Sequence, residues 1–240
     1  MQKSTPPKVV PKKENVRQMF NNIASSYDFL NHFLSLGIDN LWRKRLVKLI
    51  LAKNPATVLD VATGTADLAI AVSKKSKARI TGIDIAEDMV AIGQKKIAAR
   101  GLTEQIQLKV ADSEKIPFSD FSYEAAIVSF GVRNFENLDK GLSEMNRVLK
   151  RGGMIAVLEF SRPKHFPVRN LYMFYFKQIL PRIGRMVSGD KGAYTYLPDS
   201  VSQFPDGADF LRHLQLCGFT ETKEHRLSFG IATIYTGIRK

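Results

Sequence analysis

The sequence predicts an α/β fold: a mostly parallel seven-stranded sheet with helices on both faces and its last strand reversed. Three observations carry this expectation. Short apolar runs alternate with helical segments between residues 56 and 160, the pattern of right-handed βαβ crossovers. The first run ends in a turn of small residues, Asp60-Val61-Ala62-Thr63-Gly64-Thr65-Ala66, which leads into a helix. The last two runs are separated only by Leu227-Ser228-Phe229; a parallel neighbour would need a crossover, so this pair forms an antiparallel hairpin. A chain of 240 residues, 44% hydrophobic and 25% charged, has the make-up of one globular domain with a sizeable core.

Taken in order, residues 1–13 carry two proline breaks and several lysines without an apolar segment. They read as a flexible basic tail rather than a secretory signal, leaving 14–240 as the single domain. Residues 14–26 and 39–53 are N-terminal helices, the second capped by Asp39 or Asn40. Strands follow at Ala56–Asp60, Ala78–Asp84, Ile106–Ala111, Tyr123–Phe130 and Met154–Phe160. Helices lie between them at Asp67–Lys74, Glu87–Arg100 (closed by Gly101) and Asn137–Lys150. Gly152-Gly153 reads as the turn into the fifth strand. Residues 162–197 interrupt the alternation as a helical insertion, with a long helical stretch around Arg169 to Leu180. A helix at Ala208–Leu216 and strands at 219–226 and 230–238 complete the chain.

No run approaches the roughly 18 apolar residues of a membrane span, so the expectation is a cytoplasmic protein. The net charge of +13 calls for an anionic partner, either nucleic acid or a lipid surface. Cys217, the single cysteine, excludes an internal disulfide or thiolate metal cluster, and reads as a small buried hydrophobe. His32, His165, His213 and His225 are scattered without metal or triad spacing, and no metal is expected.

In open α/β sheets ligands bind beyond the carboxyl ends of the strands. Small residues after the first strand let backbone approach a ligand there, and the next helix offers unpaired N–H groups. Asp84 ends the second strand twenty positions after Gly64, where a carboxylate accepts both ribose hydroxyls of an adenosine. A dinucleotide's pyrophosphate calls for three glycines, and this turn holds only Gly64. S-adenosylmethionine has no phosphate, and Asp60 can meet its ammonium directly or through water. Asp112, after the third strand, can accept from the adenine amino group, and Ser113 can approach the ring edge.

Further segments resemble one family. Phe20-Asn21-Asn22-Ile23-Ala24 through Tyr27-Asp28, Ser129-Phe130-Gly131-Val132-Arg133-Asn134, Val157-Leu158-Glu159-Phe160-Ser161 and Leu180-Pro181-Arg182-Ile183-Gly184 are similar to the bacterial UbiE/MenG family. Those enzymes C-methylate polyprenylated quinol rings in ubiquinone and menaquinone synthesis. The resemblance spans nearly the whole chain beyond residue 14 and implies a Rossmann-like class I methyltransferase domain. It implies cofactor contacts at Thr65, Asp84, Asp112, Ser113 and Ser129. One departure is Ala66, where the family's pattern usually has glycine.

Methylation of a quinol ring needs a phenolate held out of water, with carbon, methyl and sulfur collinear. Arg133, just beyond the fourth strand, is expected to stabilise that phenolate or orient a base water, because its own pKa is too high for it to act as a base. Tyr27, Asp28 and Asn134 are candidates for substrate contact or lid closure. From Arg162 to Lys191 seven Lys or Arg stand against one acid, Asp190, interleaved with aromatics. Such a segment suits the anionic inner face of a membrane, where a long-tailed quinol resides. A nucleic-acid methyltransferase is the main rival, with a small phenol as another possible acceptor. Amino-directed enzymes of the nucleic-acid class place Asn or Asp-Pro-Pro-aromatic after strand four, where this chain has Ser129-Phe130-Gly131, so no nucleic-acid partner is expected. The remaining rival is a basic Rossmann-like binding module without activity.

Overall fold

Residues 12–35, 37–175 and 191–240 are described by a computed structural model. The strands are β1 Thr57–Val61, β2 Arg79–Asp84, β3 Ile106–Val110, β4 Tyr123–Ser129, β5 Leu149–Phe160, β6 Phe219–Leu227 and β7 Ala232–Arg239. They form one seven-stranded sheet in the order β3-β2-β1-β4-β5-β7-β6. Strands β1 to β5 are parallel, and β7 runs antiparallel between β5 and β6. The strand order reverses at the β1/β4 boundary, which places the ligand crevice above their carboxyl ends.

The inner strands read as unbroken apolar runs because both faces are covered. Val58, Ile80, Ile127, Ala156 and Ile234 face one layer, with Trp42, Leu46 and Ile50 of α2 (Ile38–Leu51) packed on them. The alternate residues Leu59, Val61, Ala126, Val128, Val157 and Tyr235 face the other. There they meet Leu142 and Met145 of α5 (Leu138–Val148), and Phe210 and Leu214 of α8 (Ala208–Leu216). Helices α3 (Asp67–Ser73) and α4 (Glu87–Ala98) follow β1 and β2. Among the described residues no helix is long and apolar enough to cross a membrane.

Several boundaries differ from those read in the sequence, for identifiable reasons. Helix α1 runs Lys13–Leu34 instead of stopping near 26. The Ser25-Ser26 pair looks like a breaker, yet Ser26 Oγ donates back to the Ile23 carbonyl at 3.2 Å, a bond compatible with a continuing helix. Neither Asp39 nor Asn40 caps α2. Gly37, at φ +74°, holds that position, and Asp39 is buried in the first turn against Ser35 and Arg43. Gly152-Gly153 does not open β5: the strand already starts at Leu149, and the pairing shifts register between Tyr123 and Ala125, so this is an irregularity within the strand.

The insertion begins with α6 (Val168–Phe174) and resumes with α7 (Lys191–Gln203). Its middle, including Leu180-Pro181-Arg182-Ile183-Gly184, lies outside the described residues, as does the tail before residue 12.

Candidate functional site

The turn after β1 is wound tightly. Ala62, Gly64 and Ala66 take φ values of +51°, +54° and +68°, a region that costs an L-residue about 1–2 kcal/mol. The two alanines therefore stand where glycine would be relaxed, and the surroundings hold them there. Thr65, almost fully buried, donates its hydroxyl to Asp28 of α1 at 2.5 Å. Lys96 of α4 reaches Thr65 at 3.1 Å, Asp28 at 2.7 Å and Asp67 at 2.5 Å. This cluster ties α1, α3 and α4 to the back of the turn.

In front of the turn lies a cleft that is partly open to solvent, about 670 Å³ with the solvent at its mouth included. The loop after β1 contributes Ala62 and Gly64, and β2 contributes Asp84. The loop after β3 adds Asp112, Ser113 and Glu114, and the end of β4 adds Ser129, Phe130 and Gly131. Its outer wall is α1, through Lys13, Val16, Phe20 and Tyr27. Gly131 is obligatory: a Cβ there would sit 2.5 Å from the Ala62 methyl.

Asp84 accepts the Gly64 N–H at 2.7 Å and the Ala86 N–H at 2.9 Å. Each oxygen keeps a second lone pair for a ligand hydroxyl, and burial pushes the carboxyl up from its ordinary range. Asp112 accepts the Glu114 N–H at 2.9 Å and pairs with Lys13 Nζ at 2.6 Å, an ammonium that also reaches Glu114 at 3.3 Å. Asp60 lies beneath the turn, fully buried, taking the Thr63 hydroxyl at 2.7 Å. Its Oδ1 has no hydrogen-bond partner among the described residues. Burial, with Asp84 nearby, pushes this carboxyl up to about 7.

Five acids at or under the cleft (Asp84, Asp112, Glu114 and Glu136 on its lining, Asp60 beneath), against Lys13, make an electronegative pocket. An orphaned carboxylate oxygen beneath it fits a ligand carrying ammonium and sulfonium charge, and S-adenosylmethionine is such a ligand.

Beside the cleft, over β4 and β5, is a second group of side chains. Arg133 lies in a 3₁₀ turn (Val132–Asn134) directly after β4. Its guanidinium is 7% exposed and pairs with Glu159 at 2.8 Å, itself wholly buried at the end of β5. Arg133 Nη1 also donates to the Phe130 carbonyl, and Nε is buried with no acceptor among the described residues. The guanidinium lies 5.6 Å from the Phe160 ring centroid. Phe160 stacks with Phe130 at 4.6 Å, and Trp42 leans on both rings at 6.1 and 6.2 Å. Asn134 accepts from Tyr196 of α7 at 3.0 Å.

Of the residues singled out in the sequence, Gly64, Asp84, Asp112, Ser113, Ser129, Tyr27 and Asn134 line the cleft. Asp60, Thr65, Asp28 and Arg133 do not. Asp60 underlies the turn, Thr65 and Asp28 brace it from behind, and Arg133 packs against the aromatic cluster beside the cleft. Lys13, Lys96, Glu159 and Tyr196 were not singled out. Glu159 stood inside a noticed motif, while Lys13 was hidden in what reads as a tail.

Residues 8–239 match the ubiE/COQ5 methyltransferase family. The demethylmenaquinone methyltransferase of Bacteroides fragilis is 43% identical, over 95% of this chain and 94% of that protein. The ubiquinone/menaquinone biosynthesis C-methyltransferase UbiE of Geotalea daltonii is 45% identical, over 96% and 98%. Among solved structures, a SAM-dependent methyltransferase of Thermotoga maritima superposes with a TM-score of 0.66 at 18% identity, covering 94% of this chain and all of that one. The [4+2]-cyclase SpnF gives 0.64 at 19%, covering 96% and 97%. At such identities these two likenesses establish the fold, that of the class I methyltransferases. Sequence, sheet topology and the near-full-length match agree that the chain belongs to the ubiE/COQ5 methyltransferase family.

Proposed function

We propose that this enzyme uses S-adenosylmethionine to C-methylate the ring of a polyprenylated quinol, with demethylmenaquinol to menaquinol as the leading reaction. The related benzoquinol of ubiquinone synthesis is a second acceptor of the same chemistry. One observation carries the reading: a buried arginine whose Nε has no acceptor among the described residues packs against an aromatic cluster next to the acidic cleft. A flat ring carrying an oxyanion would suit the Phe130 and Asn134 side of the cleft, next to Arg133, and the names of the relatives support a quinone-pathway acceptor.

Bound in the cleft, S-adenosylmethionine supplies a methyl group on positively charged sulfur, open to attack by a carbon nucleophile. Asp84 would hold the ribose, and Asp112 and Ser113 would face the adenine. Asp60, beneath the turn, would reach the ammonium through water rather than directly, and Ser129 would face the transfer centre. Thr65 and Asp28 fix the turn's shape, while Tyr27 and Asn134 line the passage between cofactor and acceptor.

Ionisation of a quinol hydroxyl places charge on the adjacent ring carbon, and Arg133 stabilises that oxyanion. That carbon would take the methyl group as a new carbon–carbon bond, the pair of the broken sulfur–methyl bond staying on sulfur. The ring then loses its proton to water and regains aromaticity. Phe130, backed by Phe160 and Trp42, makes this side of the cleft apolar. An oxidised quinone, lacking a phenolate, is inert.

The surface of α6 supports work at the inner face of a membrane by a cytoplasmic enzyme. Phe166, Leu171 and Phe174 are exposed at 81%, 71% and 58%, beside the exposed cations Lys164 and Arg169. Contact with anionic lipid there would leave the isoprenoid tail in the bilayer. A transfer assay with short-chain demethylmenaquinol is expected to give methylated product, and none with the quinone; equal activity on the quinone refutes the phenolate scheme. Vesicles containing anionic lipid are expected to bind the protein less as salt rises, and no binding at low salt refutes the membrane contact.

A further inference from the structure

The Arg133–Glu159 pair is an expensive way to fill a protein interior. A buried ion pair stabilises a fold little more than apolar residues of the same volume, because desolvation cancels most of the attraction. This pair also leaves one guanidinium N–H buried with no acceptor among the described residues, an arrangement that detracts from stability. Such a breach of packing logic marks a functional site more often than a structural one.

Glu159 is well placed to act on Arg133. The Phe160 N–H holds Glu159 Oε1 at 2.9 Å. The same oxygen takes Arg133 Nη1 at 2.8 Å, and Oε2 takes the Arg133 backbone N–H at 3.3 Å. One carboxylate therefore fixes both the side chain and the main chain of the residue after β4. It is wholly buried, so it reaches an acceptor only through the arginine. Tyr172 packs with Phe160 on the same side, and Tyr196 is bonded to Asn134.

We propose that Glu159 is the positioning residue of the acceptor site, orienting the Arg133 guanidinium so that its free Nε–H meets the developing oxyanion. The proposal rests on the quinol reading above. It makes the Leu158-Glu159-Phe160-Ser161 segment part of the acceptor machinery, though Glu159 touches neither acceptor nor cofactor.

The test is a double-mutant cycle in kcat, built from Glu159→Gln, Arg133→Gln and the two together, with Glu159→Asp as a charge-preserving fourth variant. A misplacement of about 1 Å or the loss of one oxyanion donor costs on the order of 100-fold in rate. Glu159→Gln is therefore expected to lose about 100-fold in kcat, with the KM for S-adenosylmethionine unchanged. Glu159→Asp falls between it and the wild type. The double variant is expected to be no slower than Arg133→Gln alone, because the carboxylate acts only through the arginine. Removing both partners also leaves no uncompensated charge, so the decisive variant folds even where Glu159→Gln does not.

A double variant slower than Arg133→Gln by the full Glu159 factor overturns the proposal, as does a raised KM for S-adenosylmethionine with kcat intact. A wild-type enzyme that fails to methylate the quinol overturns the underlying reading, and the proposal with it.

Discussion

Replacing Asp60 by asparagine removes a carboxylate that the fold buries at a cost, and the pH dependence of that cost can be worked out. The carboxyl moves from its ordinary 3.8 to about 7, which corresponds to about 4 kcal/mol between its two protonation states. Below about pH 4 the group is protonated in both folded and unfolded chains, and Asp60→Asn is nearly neutral. Between about pH 4 and 7 the unfolded chain ionises while the folded chain holds its proton. The wild type then loses about 1.4 kcal/mol of stability per pH unit that Asp60→Asn does not lose. Above about 7 both states are ionised and the difference levels off, at up to about 4 kcal/mol in favour of Asp60→Asn. The asparagine oxygen can still accept the Thr63 hydroxyl, so the turn survives. Urea unfolding of both proteins at pH 4.5, 6 and 7.5 measures the gap directly. A difference that is flat across the series refutes the account of Asp60. Because a bound cation favours the ionised carboxylate, the thermal shift that S-adenosylmethionine gives the wild type should grow over the same pH window. Asp60→Asn should lack that growth.

Two further substitutions test the packing around the turn. Gly131→Ala drives a methyl into Ala62 and is expected to cost about 1–3 kcal/mol; adding Ala62→Gly should restore most of it, read from denaturation midpoints. Lys96→Met strips Asp28 and Asp67 of a shared, mostly buried cation. It should cost about 1–2 kcal/mol, less than a fully buried pair because both carboxylates stay partly in water, and raise the KM for S-adenosylmethionine while leaving kcat at saturation near the wild-type value, which steady-state kinetics separates.

The parts of this molecule that were legible in the sequence are those governed by local periodicity. Runs such as Ala125–Val128 are apolar throughout because both faces of the sheet are covered, and each parallel strand stops close to an acid or hydroxyl that can meet a ligand. Asp84, Asp112 and Ser113 could be placed by that rule alone. What escaped were partnerships across long separations. Nothing local shows that Lys13 meets Asp112, 99 residues away, or that Lys96 braces Thr65 from another helix. Asp39 shows the converse: its position favours a cap, but burial beside Arg43 claims its side chain instead. Arg133 was read by position as an acceptor residue, while the carboxylate that holds it, on the next strand over, depends on the β4/β5 register.

Helix α1 supplies the outer wall of the cleft proposed to hold the cofactor and fastens itself there through Lys13 to Asp112 and Glu114, and Arg17 to Glu87. Ligand occupancy and helix docking are thereby linked equilibria, and linkage is reciprocal: whatever holds the helix down tightens the ligand, and the ligand holds the helix down to the same degree. Lys12, Lys13 and Arg17 are also sites a trypsin-like protease recognises, so the rate of clipping in this helix becomes a gauge of how full the cleft is. A fusion partner that levers the helix away would lower cofactor affinity without altering a single atom that touches the cofactor from the sheet.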